Sequence, residues 1–235
     1  AVGGKLYVAG GDRSSDGIIL SSAECFDPLS GNWTAIKSMT TPRYLTAGVG
    51  LGGLFYVMGG RSDAVGSSLA SMESFDPTTG NWSTLASMKT ERLSHAAAAV
   101  QGRIYVTGGY DKVKHHRLVE SFDPLTGEWS ELASMRVWRY DHAAGALNGR
   151  MYIAGGTTGY KNDGFSAAVY DPSTDQWATI EAMGTRRYYA AGAVLGGRFF
   201  VTGAYGGEAY SPPKCRKGYG GDPCAPCEAG RFNAL

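Results

Sequence analysis

Five segments ending in Gly-Gly or Gly-Ala return every 47 to 49 residues. They are LYVAGG (Leu6–Gly11), FYVMGG (Phe55–Gly60), IYVTGG (Ile104–Gly109), MYIAGG (Met151–Gly156) and FFVTGA (Phe199–Ala204). A second block follows the first four: ECFDPLSGNW (Glu24–Trp33), ESFDPTTGNW (Glu73–Trp82), ESFDPLTGEW (Glu120–Trp129) and AVYDPSTDQW (Ala168–Trp177). In each, an aspartate stands six residues before the tryptophan. A third block places Met four residues before Arg, at Met39/Arg43, Met88/Arg92, Met135/Arg139 and Met183/Arg187. Three blocks held in phase four times over mean a repeat architecture, whose units bury their apolar faces against one another.

Each unit reads as four short strands. The first is rich in small residues, as in HAAAAV (His95–Val100), which lets inner strands crowd together. The second is apolar at consecutive positions, as expected of a sheet covered on both faces. In the third, Glu24 and Phe26 share one face and Cys25 takes the other. DPLSGNW is a turn by chemistry, opened by Asp-Pro and closed by a glycine at positive φ, and the tryptophan strand follows it. Four strands per unit make the blade of a β-propeller. The sequence therefore predicts an all-β chain with blades at about 1–42, 43–91, 92–138, 139–186 and an incomplete 187–212. The first unit lacks an inner strand and the fifth lacks a tryptophan strand.

These motifs resemble the kelch repeat: a double glycine, then an aromatic (Phe26, Phe75, Phe122, Tyr170), then tryptophan seven residues later. The FDPxTGxW and MxxxR wording is most similar to kelch-like proteins, whose BTB and BACK regions recruit a cullin-type ubiquitin ligase. The resemblance spans about residues 1–212 and implies the recognition half of that role. At ~48 residues per blade a six-bladed ring needs about 290. The 235 residues are thus expected to hold about five blades of a six-bladed ring, with a closed five-bladed ring as the alternative.

Charge narrows the partner. A formal net charge of +1 argues against nucleic acid or a membrane surface. No apolar run of about eighteen residues is present to span a bilayer.

Comparison between units separates scaffold from function. The stretch GGYDKVKHHRL (Gly108–Leu118) looks alone like a phosphate loop, a metal site or a basic recognition loop. Gly108 and Gly109 belong to the repeat, which leaves the basic loop as the distinctive part. The loops after each glycine pair, and the residues after each repeated Arg, are expected on one rim. There the resemblance to kelch-like proteins implies a substrate pocket. The partner-binding set is Tyr44, Arg61, Leu93, Tyr110, Asp111, His115, His116, Arg117, Tyr140, Asp141, Tyr160, Tyr188 and Tyr189. Tyr and Arg are common interface anchors. Lys112, Lys114 and Arg117 against Asp111 call for an acidic segment on the partner, and the two histidines for a pH-sensitive contact. Glu24, Glu73 and Glu120 need buried partners, and the repeated arginines are the candidates. Asp27, Asp76, Asp123 and Asp171 read as turn formers. Trp138, off the repeat, is expected to be exposed and tolerant.

An enzyme is the alternative class. Some kelch propellers are copper oxidases of the galactose oxidase kind, using two His, two Tyr and a Tyr–Cys crosslink. His95 and His142 occupy equivalent inner-strand positions, but Cys25 beside Phe26 fits a small buried residue. No nucleophile elbow is present, and no carboxylate pair breaks the repeat. The expected function is a non-enzymatic protein-binding module without cofactor or metal. The tail KCRKGYGGDPCAPCEAGRFNAL (Lys214–Leu235) carries Cys215, Cys224 and Cys227. It resembles the start of an extracellular Cys-rich repeat of the ephrin-receptor or growth-factor-receptor kind, which implies a truncated disulfide framework. That predicts an extracellular or luminal protein, with a cytoplasmic adaptor as the alternative. The sequons at Asn32 and Asn81 coincide with the blade's own turn and read as scaffold.

Overall fold

The computed structural model describes residues 1–13, 17–62, 67–159, 164–203, 206–211 and 231–234, and none of these is helical. The chain divides into two compact units, Ala1–Tyr140 and Asp141–Leu235.

The first unit holds three antiparallel blade sheets among the described residues. The first blade orders Leu6–Ala9, Ala23–Asp27 and Asn32–Ile36. Its small Asp12–Arg13/Ile18–Ile19 ribbon lies in the loop after the glycine pair. The second orders Ala47–Leu51, Leu54–Met58, Met72–Asp76 and Asn81–Leu85, and the third Ala96–Val100, Arg103–Thr107, Val119–Asp123 and Glu128–Leu132.

In the second unit, the fourth blade orders Ala143–Leu147, Arg150–Ala154, Ala167–Asp171 and Gln176–Ile180. The fifth orders Ala191–Leu195, Arg198–Gly203, Gly206–Ser211 and Arg231–Ala234. That last strand corrects the sequence reading, which gave the fifth unit no fourth strand. It comes from the segment read as a tail, pairing Tyr210 with Phe232 and Ala209 with Asn233. Backbone pairing needs no tryptophan, so the repeat motif could not reveal it. Cys215, Cys224 and Cys227 lie outside the described residues.

Register explains the Phe–Trp spacing. Phe26 faces Trp33, Phe75 faces Trp82, Phe122 faces Trp129 and Tyr170 faces Trp177 across neighbouring strands. Their ring centroids lie 5.2, 5.3, 5.3 and 5.1 Å apart, in the range of favourable tilted aromatic pairs. The hairpin between them is closed by its aspartate, whose Oδ1 accepts the amide two residues on. The bonds are Leu29 at 2.9 Å, Thr78 at 2.7 Å, Leu125 at 2.9 Å and Ser173 at 3.0 Å.

The cores lie between blades. Tyr7, Ala9 and Ile36 of the first blade pack on Phe55, Val57 and Phe75 of the second. Met58, Met72 and Met88 of the second pack with Ile104, Val106, Phe122 and Trp129 of the third. In the second unit the inner strands need small residues. A Cβ on Gly192 would stand 2.7 Å from Phe199 Cε2 and 2.9 Å from the Ala144 carbonyl oxygen.

Candidate functional site

The loop rim rests on a repeated arginine. The Arg43 guanidinium donates to the carbonyls of Gly59 and Ser71, to Ser71 Oγ and to Glu73 Oε1 at 3.1 Å. Glu73 also accepts the amides of Thr40 and Thr41 at 2.7 and 3.1 Å. The third blade repeats the device. Arg92 donates to the Gly108 and Leu118 carbonyls and to Glu120 at 2.5 Å, while Glu120 accepts Lys89 N–H and Thr90 N–H. Each pair ties the connector from the previous blade to the glycine turn and the third strand of its own. Burial alone would raise the Glu73 carboxyl, but the two amides and Arg43 hold it below the usual range. The scaffold role predicted for these arginines is met at Arg43 and Arg92.

The same device sets the positions of the rim residues. The residue after Arg bridges to the residue after the glycine pair. Tyr44 and Arg61 exchange backbone bonds of 2.9 and 2.8 Å, and Leu93 and Tyr110 exchange bonds of 2.9 and 3.0 Å. One residue further on, Leu45, Ser94, Asp141 and Tyr189 all take left-handed φ of 54°, 53°, 53° and 48°. That costs a non-glycine residue roughly 1–2 kcal/mol. Links to the next blade accompany it: Ser94 N–H donates to the Leu45 carbonyl and Ala190 N–H to the Asp141 carbonyl, both at 2.9 Å.

Side chains gather most densely at the third-blade loop. His115 stacks on Trp138 at 4.4 Å and 20°, and on Tyr140 at 5.1 Å and 16°. Trp138 and Tyr140 are 4° from parallel with centroids 6.1 Å apart. Tyr110 stands at 64° to Tyr140 and 60° to His115, at 5.0 and 5.8 Å. In the second blade, the Arg61 guanidinium lies 5.0 Å over the Tyr44 ring. His115, Arg117, Lys112 and Lys114 are exposed, and Tyr44, Arg61, Tyr110 and Tyr140 are half-buried.

Two predicted residues cannot themselves face a partner. Leu93 is 3% exposed, and its backbone is bridged to Tyr110. His116 is 1% exposed, with its backbone N–H on the Gly109 carbonyl and Nε2 3.0 Å from Asp111 Oδ2. Burial pushes its imidazole pKa down and the Arg92 cation adds to this, against the opposing pull of Asp111. His116 therefore does not supply the pH-sensitive contact expected of the pair. Asp111 faces inward too, accepting Val113 N–H at 2.6 Å and Lys114 N–H at 2.8 Å. In the second unit, Asp141 and Tyr188 are half-buried and Tyr189 is 76% exposed. Tyr160 lies outside the described residues.

Trp138 is what the sequence reading missed. It is half-buried in the stack rather than exposed and idle. The signal was there, since the residue before the repeated Arg changes in every unit: Pro42, Glu91, Trp138, Arg186. Arg186 behaves alike, lying 5.2 Å over the Phe165 ring.

The residues weighed for an enzyme are held elsewhere. Cys25 is buried opposite Tyr7 in the first blade. His95 is buried in the first unit and His142 in the second. Burial and the Arg92 and Arg43 cations lower the His95 pKa to about 3. Among the described residues no three His, Cys, Asp or Glu gather as a metal site would need.

Residues 1–207 match the family described as the KLHDC2/KLHL20/DRC7 Kelch-repeats domain. The solved structure of YjhT is similar at a TM-score of 0.79 and 14% identity, covering 99% of this chain and 82% of that one. At that identity the likeness shows the fold alone. Solved structures that match number 322 chains, so the fold does not select a function. No curated protein matches.

Proposed function

The chain belongs to the kelch-repeat β-propeller family, and from that premise we propose that it is a non-enzymatic protein-binding module. Its binding surface in the first unit is the loop rim of Tyr44, Arg61, Tyr110, His115, Arg117 and Tyr140, and its partner presents an acidic segment. One observation carries the reading. The third-blade loop turns its carboxylate inward, so Lys114 and Arg117 stay exposed with no ion pair among the described residues. They flank aromatic side chains that the scaffold does not require, the composition of an interface anchor. Recognition of substrate for a cullin-type ubiquitin ligase would use the same rim and is supported by the FDPxTGxW and MxxxR wording alone. An extracellular or luminal setting is supported by the wording around Cys215, Cys224 and Cys227.

The test is binding of a fluorescent poly-glutamate peptide followed by anisotropy. Binding should weaken steeply as salt rises past about 0.15 M, where the Debye length is ~8 Å. Arg117→Glu should abolish it, Tyr140→Ala should weaken it, and Lys37→Glu on an outer strand should leave it unchanged. Loss of binding in the Lys37 variant alone would move the site to the outer edge.

A further inference from the structure

The four rings at the third-blade loop form a corner, not a heap. Ring planes in contact stack at about 3.6 Å, so centroid distances of 4.4 and 5.1 Å place His115 about 2.5 Å to one side of Trp138 and about 3.6 Å to one side of Tyr140. Those offsets together span the 6.1 Å between Trp138 and Tyr140, whose planes differ by 4°. Trp138 and Tyr140 therefore lie edge to edge as a floor, and His115 lies flat across their seam. His115 is exposed, which leaves its outer face open to solvent. Tyr110, at 60° to the imidazole, stands beside it as a wall. Core Phe–Trp pairs are tilted by 41° to 48°, whereas the three rings His115, Trp138 and Tyr140 lie within 20° of parallel.

We propose that this corner is a stacking site for one aromatic side chain of the partner, flanked in the partner's sequence by carboxylates. The inference rests on the rim reading above and names the residue that the rim selects. A flat ring laid on His115 would meet the Tyr110 ring edge-on, the two geometries that aromatic pairs prefer. Arginine, the other flat side chain, is disfavoured by the exposed cations Lys114 and Arg117 on the same loop. Those cations select carboxylates on either side of the inserted ring.

Calorimetry on the full chain with three blocked peptides tests it: Glu-Glu-Phe-Glu-Glu, Glu-Glu-Ala-Glu-Glu and Lys-Lys-Phe-Lys-Lys. The Phe-containing acidic peptide should bind on the order of threefold to tenfold tighter than its Ala counterpart. That gap should vanish in His115→Ala and persist in His115→Phe, which keeps a flat surface without a titrating group. Equal binding of the two acidic peptides to the wild-type chain overturns the stacking site and leaves the basic rim standing. A gap that survives in His115→Ala shows that the ring stacks elsewhere. Preference for the Lys peptide, or no binding by any of the three, overturns both the corner and the rim reading.

Discussion

The first and third blades carry nearly the same words, ECFDPLSGNW and ESFDPLTGEW, in different surroundings. In the third, Trp129 is 8% exposed and its indole N–H donates to the Ala86 carbonyl of the neighbouring blade at 2.9 Å. Glu120 beside it is buried and bonded to Arg92 and two amides. In the first, Trp33 is 51% exposed and Glu24 is exposed as well, although Trp33 keeps the same 5.2 Å partner in Phe26. The motif therefore encodes the hairpin, while burial of its tryptophan and the indole bond depend on a neighbouring blade.

Truncation of the tryptophans is the most forceful way to break that comparison. Trp129→Ala should cost roughly 3–5 kcal/mol in urea unfolding, whereas Trp33→Ala should cost about 1 kcal/mol or less. Trp82, half-buried with its indole on the Lys37 carbonyl at 2.6 Å, should fall between them. Equal losses at Trp33 and Trp129 would mean that the blade, not its neighbour, supplies the energy.

Neutralising the glutamates gives a smaller contrast. Glu120→Gln leaves the fully buried Arg92 without its counter-ion and should cost about 2–3 kcal/mol. Glu24→Gln should stay within about 0.5 kcal/mol.

A pH measurement sharpens the contrast between second and third blades. Three residues after the repeated Arg, the second blade has Thr46, whose hydroxyl donates to the Met58 carbonyl at 2.7 Å, and the third has buried His95. With a pKa of about 3, His95 is neutral in the fold, while in the unfolded chain it takes a proton near pH 6.5. Its contribution is therefore present above pH 6.5 and lost on acidification toward pH 3, by at most about 1.4 kcal/mol per pH unit. His95→Thr, borrowing the second blade's solution, should flatten the stability slope between pH 6.5 and 5. An unchanged slope would show that His95 is already charged in the fold. His116, lowered in the same sense, contributes in the same direction.

The smallest effect concerns the rim. Trp138→Ala should cost about 1 kcal/mol through loss of its stack with His115. A change within about 0.3 kcal/mol would return Trp138 to the idle role that the sequence suggested.

Much of the fold was legible because a repeated sequence carries its own control. Phe26 and Trp33 recur at fixed spacing since a two-strand hairpin with an Asp-closed turn brings residues seven apart face to face. Arg92 and Glu120 repeat the Arg43 and Glu73 pair because a buried cation must be satisfied. The candidate site was legible only as a set of variable positions. Leu93 and Tyr44 are equivalent in sequence, yet one is buried and the other half-exposed. His115 and His116 are neighbours in the chain, yet they point to opposite sides of a loop whose aspartate faces inward.

The sequence by itself determined the strand pattern, the turn chemistry, the Phe–Trp pairs and the arginines that hold the glycine turns. Each follows from interactions within a blade or across one repeat, where period and residue type suffice. Tertiary structure alone decided that Trp33 is open and Trp129 closed, that Arg231–Ala234 completes the fifth sheet, and that Trp138, His115, Tyr140 and Tyr110 meet. These depend on which surface of a neighbouring segment lies against each side chain, and a local spacing carries no record of that.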